Sequence, residues 1–450
     1  MKRAVVGTAG AIALMLALAG CTPGSDAASG SAASGKVVTD PGQIGKATVK
    51  VLNTYSDNTS PIDRWYTQIV KTFEKKYPNV TIKTESVADP SSTLKLRLAD
   101  AATPDIVPAN NGWNGIGDFS SENLIANLDG YAKAYGWDKT IPASLYKHGL
   151  VTTDGKNIGE GSAFGVPINQ GGLITVFYDR ALMKKLGVSV PTTMSDFEAD
   201  AAKAKAAGIT PIQLGVQDGW SALPMLNALQ ASLAKGNGVA DFVFSKGSGN
   251  AENTALTEAS QKYVDWMKAG YYPKNFVGTA SGDASQSFVN GNGLFYFWYS
   301  GFLPFTDQAQ EDKFGMFTMP RGDSAPVTSV ASTSQNFSIA EKSKVKDAAA
   351  LFLNFMASKD AGQIAIDNGL IPAYGNYSAN TSSPMMNDGL KVLSQVTKSN
   401  GYVPYFNWTT PQMSGVMTKN VALLLNGSLP PAGVTSAAQA EYNTFRATKK

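Results

Sequence analysis

The chain has a single cysteine and a single histidine among its 450 residues. With one thiol, Cys21, there is no disulfide framework and no thiolate metal site. With one imidazole, His148, a histidine metal centre or a Ser-His-Asp triad has too few parts. We read His148, within Tyr146-Lys147-His148-Gly149, as a surface residue. No D-x-[DN]-x-[DN]-G calcium loop is present. Neither a metal nor a cofactor is therefore expected. Charge is sparse as well: 16% of residues carry it, and the net is +3. Lys2 and Arg3 supply two of those charges. Without a basic run or a long acidic tail, nucleic acid and acidic lipid surfaces are poor partners. No internal repeat appears, which argues against a repetitive surface adhesin.

What is present begins at the N-terminus. Lys2 and Arg3 precede an apolar run of small and aliphatic residues that ends at Gly20. The run is short for a membrane-spanning helix, which needs about 20 apolar residues, and suits the central part of a signal peptide. Leu18-Ala19-Gly20-Cys21 closes it and matches the lipobox pattern L-[AS]-[GA]-C. In that reading residues 1–20 are removed and the Cys21 thiol takes a diacylglyceryl group. Two acyl chains anchor firmly where one is marginal. Residues 21–46 are rich in Gly, Ser, Ala and Thr and hold no aromatic. They read as a flexible spacer between lipid and fold.

About 400 residues remain, more than one core usually serves, so two domains are expected. Thr48-Val49-Lys50-Val51-Leu52 alternates like a strand. Pro61 opens a helix whose apolar face carries Trp65, Tyr66, Ile69 and Phe73. Strands at Val80-Thr81-Ile82 and Asp105-Ile106-Val107 complete a β-α-β-α-β pattern, the signature of a mainly parallel sheet. In such sheets ligands sit beyond the carboxyl ends of the strands. A second unit starts near Gly172, with strands at Leu173 to Tyr178, Ile209 to Leu214 and Leu294 to Trp298. Ser195 with Glu198 reads as the capping box of an alanine-rich helix.

Several stretches, taken in order, resemble the solute-binding proteins of carbohydrate ABC importers, the family that includes the maltose binders. They are Thr103-Pro104-Asp105-Ile106-Val107, Gly165-Val166-Pro167 and Val176-Phe177-Tyr178-Asp179-Arg180. Pro191-Thr192-Thr193-Met194-Ser195-Asp196-Phe197, Phe288-Val289-Asn290-Gly291, Gly369-Leu370-Ile371-Pro372 and Pro411-Gln412-Met413-Ser414 follow. The resemblance covers essentially all of 47–445. It implies an α/β, periplasmic-binding-protein-like fold: two α/β lobes joined by a multi-crossing hinge, with a ligand cleft between. Crossings near 168–172, 329–334 and 371–376 make 47–170 plus 332–373 the N-terminal lobe, and 171–331 plus 374–450 the C-terminal lobe. The Gly171-Gly172 pair suits a hinge, because glycine absorbs backbone rotation cheaply.

A sugar needs aromatic plates for its ring faces and amides, carboxylates or hydroxyls for its edges. Tyr55, Asp57, Asn58, Asn110, Asn111, Asn169, Gln170, Gln217, Asp218, Gln335 and Asn336 are the edge candidates on rim loops. Trp113, Trp220, Trp298, Tyr299, Tyr374 and Trp408 are the plate candidates. Where maltose binders carry stacking aromatics after Pro-Gln-Met-Ser, this chain has Val416 and Met417, which favours a different saccharide. The expected function is a non-enzymatic, monomeric receptor, lipid-anchored at the extracellular face of the cytoplasmic membrane of a Gram-positive bacterium. It captures an oligosaccharide by hinge closure and delivers it to the permease subunits of an ABC importer. Two alternatives stay open. One is a tethered glycoside hydrolase using Asp57 and Asp218; the other is a receptor for a non-sugar solute.

Overall fold

Two sheets with separate strand sets divide the chain. A computed structural model describes residues 37–54, 60–87, 93–100, 102–300, 303, 308–321, 327–330 and 336–449. The first sheet runs Val80–Ser86, Ala47–Asn53, Ile106–Ala109, Asn336–Ile339, Val166–Pro167. Its first three strands are parallel, as the β-α-β-α-β pattern requires, and the last two join antiparallel. Helix Pro61–Lys76 covers it. Pro61 presets the first turn, and Ser60 and Asp63 form a reciprocal capping box. Trp65, Ile69 and Phe73 are fully buried, each contributing about 1.5–3 kcal/mol of burial. The Trp65 indole donates to the Ala361 carbonyl at 3.1 Å, so the ring enters the core with its polar atom satisfied.

The second sheet runs Phe314–Phe317, Ile174–Asp179, Phe295–Tyr299, Ile212–Gln213. Ile212–Gln213 lies at the edge, where the preceding Pro211 costs no ladder bond. Side chains alternate along Phe295–Tyr299. Phe295 and Phe297 enter the largest core cluster, while Tyr296 and Trp298 enter a smaller one with Phe288 and Met316. The next helix, Met194–Ala206, is capped by Thr193 with Asp196 rather than by Ser195 with Glu198. Thr193 has the extended backbone a cap needs, whereas Ser195 already lies in the first turn. Glu198 instead accepts from Lys262 and the Trp266 indole.

The chain passes from the first sheet to the second between Pro167 and Ile174. Asn169 ties this crossing to the segment 358–377. Its amide donates to the Ser358 carbonyl at 3.1 Å and to the Tyr377 hydroxyl at 2.9 Å, and its oxygen accepts from the Tyr374 backbone at 3.2 Å. The Tyr374 hydroxyl donates to the Ala357 carbonyl at 2.6 Å. Asn169→Ala leaves these buried partners unsatisfied and is expected to cost about 3 kcal/mol in urea unfolding. An unchanged midpoint would show that water replaces the amide at no cost.

Residues 37–46, read from composition as the end of a flexible spacer, are docked on the first half. Ile44 is buried, the Val38 backbone donates to Asp347 at 3.1 Å, and the Asn79 amide donates to the Pro41 and Ile44 carbonyls. Composition missed this because a few backbone hydrogen bonds and only Val37, Val38 and Ile44, scattered among polar and small residues, make the contact. Among the described residues no helix is long and apolar enough to cross a membrane.

Candidate functional site

The rim of the second sheet carries an unusual turn. After Ile212–Gln213 the chain reaches Asp218, whose carbonyl accepts from the Trp220 N–H at 2.8 Å across Gly219 alone. Gly219 sits at φ +71°, ψ −59°, the strained form of a three-residue turn. The turn pushes Trp220 outward, where it remains 43% exposed. Asp218 braces it by accepting from the Ser281 backbone at 2.7 Å. The Ser281 hydroxyl and backbone N–H hold the Asp218 carboxyl below the usual carboxylate range.

From Trp220 a line of aromatic contacts runs inward. Trp220 lies 5.5 Å from Trp298, ring centre to ring centre, and Trp298 lies 5.3 Å from Tyr299. Trp298 rests on the buried Tyr296 ring at 5.5 Å, nearly parallel. Two residues apart on one strand, they share a face. The Tyr299 and Tyr405 hydroxyls are 3.4 Å apart. Tyr405 lies 6.1 Å from Trp408, and Trp408 lies 4.9 Å edge-on to His148. The line thus joins an exposed indole to a buried centre.

That centre is rich in amides. Asn111 accepts from both the amide and the backbone of Asn336. The adjoining Gly112 has φ +82° and lies so close to Trp408 that a Cβ would be 2.4 Å from the Trp408 Cβ. Only glycine fits there. Beside Trp408, the Asn407 amide reaches Ser414 at 3.4 Å. The buried oxygens of Asn336 and Asn407 have no partner among the described residues, and neither has the amide nitrogen of Gln170 in the crossing after Pro167. Buried polar atoms of this kind are rare and call for an explanation.

His148 is buried, contrary to its reading as a surface residue. Its neighbours Trp408 and Phe244 come from segments remote in sequence, so the local Tyr-Lys-His-Gly context carried no sign of them. Neither ring nitrogen has a partner among the described residues, and burial pushes its pKa down to about 3. Trp113 is also buried. It packs edge-on to Phe445 at 4.9 Å under the Lys449 ammonium at 4.1 Å, which ties its ring to the C-terminal helix Pro431–Ala447. Asn110 and Gln217 are exposed. Asn169 and Tyr374 belong to the crossing described above. Tyr55, Asp57, Asn58 and Gln335 lie outside the described residues. The structure therefore brings together Trp220, Trp298, Tyr299, Trp408, Asn111 and Asn336. It adds Tyr405, Asn407 and His148, which pattern reading left out. Tyr405 and Asn407 flank a residue that was chosen, so the whole Tyr-Phe-Asn-Trp run was the available signal. Among the described residues no three His, Cys, Asp or Glu side chains gather as a metal-holding group.

The family model of the bacterial extracellular solute-binding proteins matches residues 56–363. The chain belongs to that family. The "Multiple sugar-binding protein" of Streptococcus mutans is 26% identical over 70% of this chain and 73% of its own length. A "Probable sugar-binding periplasmic protein" of Mesorhizobium japonicum is 28% identical over 45% of this chain. That match spans about half of the relative's own length, 51%. Among solved structures, a "Chitin oligosaccharide binding protein" superposes with TM-score 0.70 at 20% identity, over 89% of this chain and 99% of that one. The last is a likeness of fold. The architecture is the periplasmic-binding-protein-like one, mixed α/β with helices packed on the sheets.

In this solute-binding protein the Gly219 turn is a sensitive point. A side chain there meets Thr418 at 2.6 Å and must adopt a positive φ. Gly219→Ala is expected to cost about 1–3 kcal/mol in thermal or urea unfolding, and to shift the fluorescence of the exposed Trp220. A wild-type spectrum together with wild-type stability would mean that the turn relaxes freely.

Proposed function

We propose that the protein is the lipid-anchored, extracellular receptor of an ABC importer for an oligosaccharide. The single observation that carries this is the aromatic line from Trp220 to Trp408 ending among buried amide atoms that have no partner among the described residues. Aromatic rings suit the C–H faces of a sugar, and the Asn336 and Asn407 oxygens suit hydroxyl donors along its edge. The sugar-binding names of the sequence relatives support the same class of ligand. In this reading the two sheets belong to lobes 47–170 plus 332–373 and 171–331 plus 374–450. Binding closes them, and the closed monomer passes its cargo to the permease. Cys21 carries the lipid that keeps the receptor near that permease.

Isothermal titration against a broad glycan panel, paired with X-ray scattering, tests the reading. It expects at least one saturable oligosaccharide and a smaller radius of gyration when that ligand is bound. It fails if no glycan binds, or if a confirmed ligand leaves the scattering unchanged. A glycoside hydrolase would instead release reducing ends from the bound glycan. Asp218 does not suit the general acid of such a carboxylate pair. A general acid needs a raised pKa, and Ser281 lowers that of Asp218.

A further inference from the structure

We propose that a cavity beside the paired strands Ser329–Val330 and Tyr402–Val403 binds a small organic anion, with Arg321 as its charge anchor. The cavity has a volume of about 380 Å³, within the range of small-molecule sites. None of the rings of the aromatic line lines it, though Phe244 in its wall packs on His148 at the inner end of that line. Its walls come from both halves of the molecule. Ser144 and Lys147 belong to a segment whose Leu145 packs in the first sheet's core. Ala234, Val239 and Phe244 pack in the core of the second. Asn400 closes the wall between them and accepts from the Ser144 backbone at 2.9 Å and its hydroxyl at 2.8 Å.

The charge inside this cavity is unbalanced. The Arg321 Nη2 donates to the Ala234 carbonyl at 2.6 Å and to the Gly236 carbonyl at 3.5 Å. These carbonyls lie just past helix Leu223–Leu233, where a cation suits the helix dipole. That cap explains the position of the guanidinium and engages one of its nitrogens. It supplies no counter-ion. No carboxylate among the described residues pairs with Arg321, and burial lowers its pKa. A cation drawn from water without an anion is costly. Among the described residues the other charged lining groups are Lys147, Lys246 and Asp241. Lys246 is paired with Glu160 at 3.1 Å. Asp241 is exposed at the edge. Arg321 and Lys147 thus leave an excess of positive charge beside the amides and hydroxyls of Asn237, Asn400 and Thr328. An inorganic ion would leave most of the volume empty, and the apolar walls at Val239 and Phe244 suit an organic body.

Because both halves wall the cavity, an occupant changes the free energy of moving one half against the other. This coupling rests on the hinge closure proposed above; the anion site does not. The full chain is titrated with citrate at fixed ionic strength, with glycerol as the neutral comparison, by calorimetry and thermal shift. The expected result is a saturable rise in Tm with citrate, absent with glycerol and lost in Arg321→Gln. A non-saturating rise in every variant is the general effect of an excluded salt and overturns the site. Lys147→Gln, at an exposed position, is expected to weaken citrate several-fold and serves if Arg321→Gln does not fold. Citrate binding equal to wild type in whichever variant folds overturns the assignment. Saturating citrate is further expected to shift the affinity of a confirmed glycan by roughly fivefold or more. An unchanged glycan affinity overturns the coupling alone.

Discussion

Trp220→Ala is expected to weaken oligosaccharide binding by roughly 70- to 150-fold while leaving the unfolding midpoint near that of wild type. The indole is 43% exposed in the free protein, so little folding energy depends on it. Covering one of its faces with a sugar ring removes roughly 80 Å² from water, about 2 kcal/mol at 25 cal/mol per Å². Stacking geometry adds about 0.5–1 kcal/mol. The sum, about 2.5–3 kcal/mol, gives that factor. Trp298 is a poorer probe, because it rests on Tyr296 and is only 8% exposed. Its truncation opens the core at about 3–5 kcal/mol and mixes folding with binding. Titration calorimetry of wild type, Trp220→Phe and Trp220→Ala against one confirmed glycan decides the matter. Phenylalanine is expected to retain part of the affinity. If Trp220→Ala binds like wild type, the indole only shields Trp298 from water, and the aromatic line starts one residue further in.

The contrast between Trp220 and Trp298 also shows what could be read without a structure. Local pattern identifies which face of an element is buried, and it did so for Trp65, Ile69 and Phe73 on their helix. It also placed the turns at the ends of the strands, because glycine, aspartate and asparagine mark them chemically. Which buried faces from distant segments meet is another matter. Trp113 and Trp408 occupy similar loop contexts, yet Phe445 and Lys449 close over Trp113 from the end of the chain. His148 looked solvated because its neighbours in sequence are polar or small, while its neighbours in space are Trp408 and Phe244. The docking of residues 37–46 and the Thr193 cap were missed for the same reason. Each depends on a few backbone hydrogen bonds, and a residue type that can make such a bond appears in many places that do not. The three-residue turn at Gly219 belongs with these. Asp-Gly announced a turn, but only the backbone angles show one tight enough to expose an indole.

Acid is expected to destabilise the protein through His148. In the unfolded chain this histidine titrates near 6.5, and in the fold its pKa is pushed down to about 3 by burial. Between these values the unfolded state binds the additional proton, so stability falls as pH falls. The contribution is fully present above pH 6.5. It is reduced by about 3 kcal/mol at pH 4.5 and by about 4 kcal/mol near pH 3. The carboxylates titrate in the same acid range, so the informative quantity is the difference between wild type and His148→Phe. Phenylalanine keeps a ring against Trp408 and Phe244 and removes two buried nitrogens that have no partner among the described residues. Urea unfolding from pH 7.5 to 4.5 is expected to show the variant gaining on wild type by about 3 kcal/mol across that range. A constant gap would mean that the imidazole is hydrated or finds an anion when charged. The position of His148 makes the same change visible in binding. The ring touches Trp408 at the inner end of the aromatic line. A charge there must either leave the site or draw water into it, and both disturb the plate on which a sugar would rest. Because the folded imidazole takes its proton only near pH 3, oligosaccharide affinity is expected to hold down to about pH 4 in wild type, to fall as pH approaches 3, and to hold there in His148→Phe. Parallel losses in both proteins would assign the acid sensitivity to carboxylates instead.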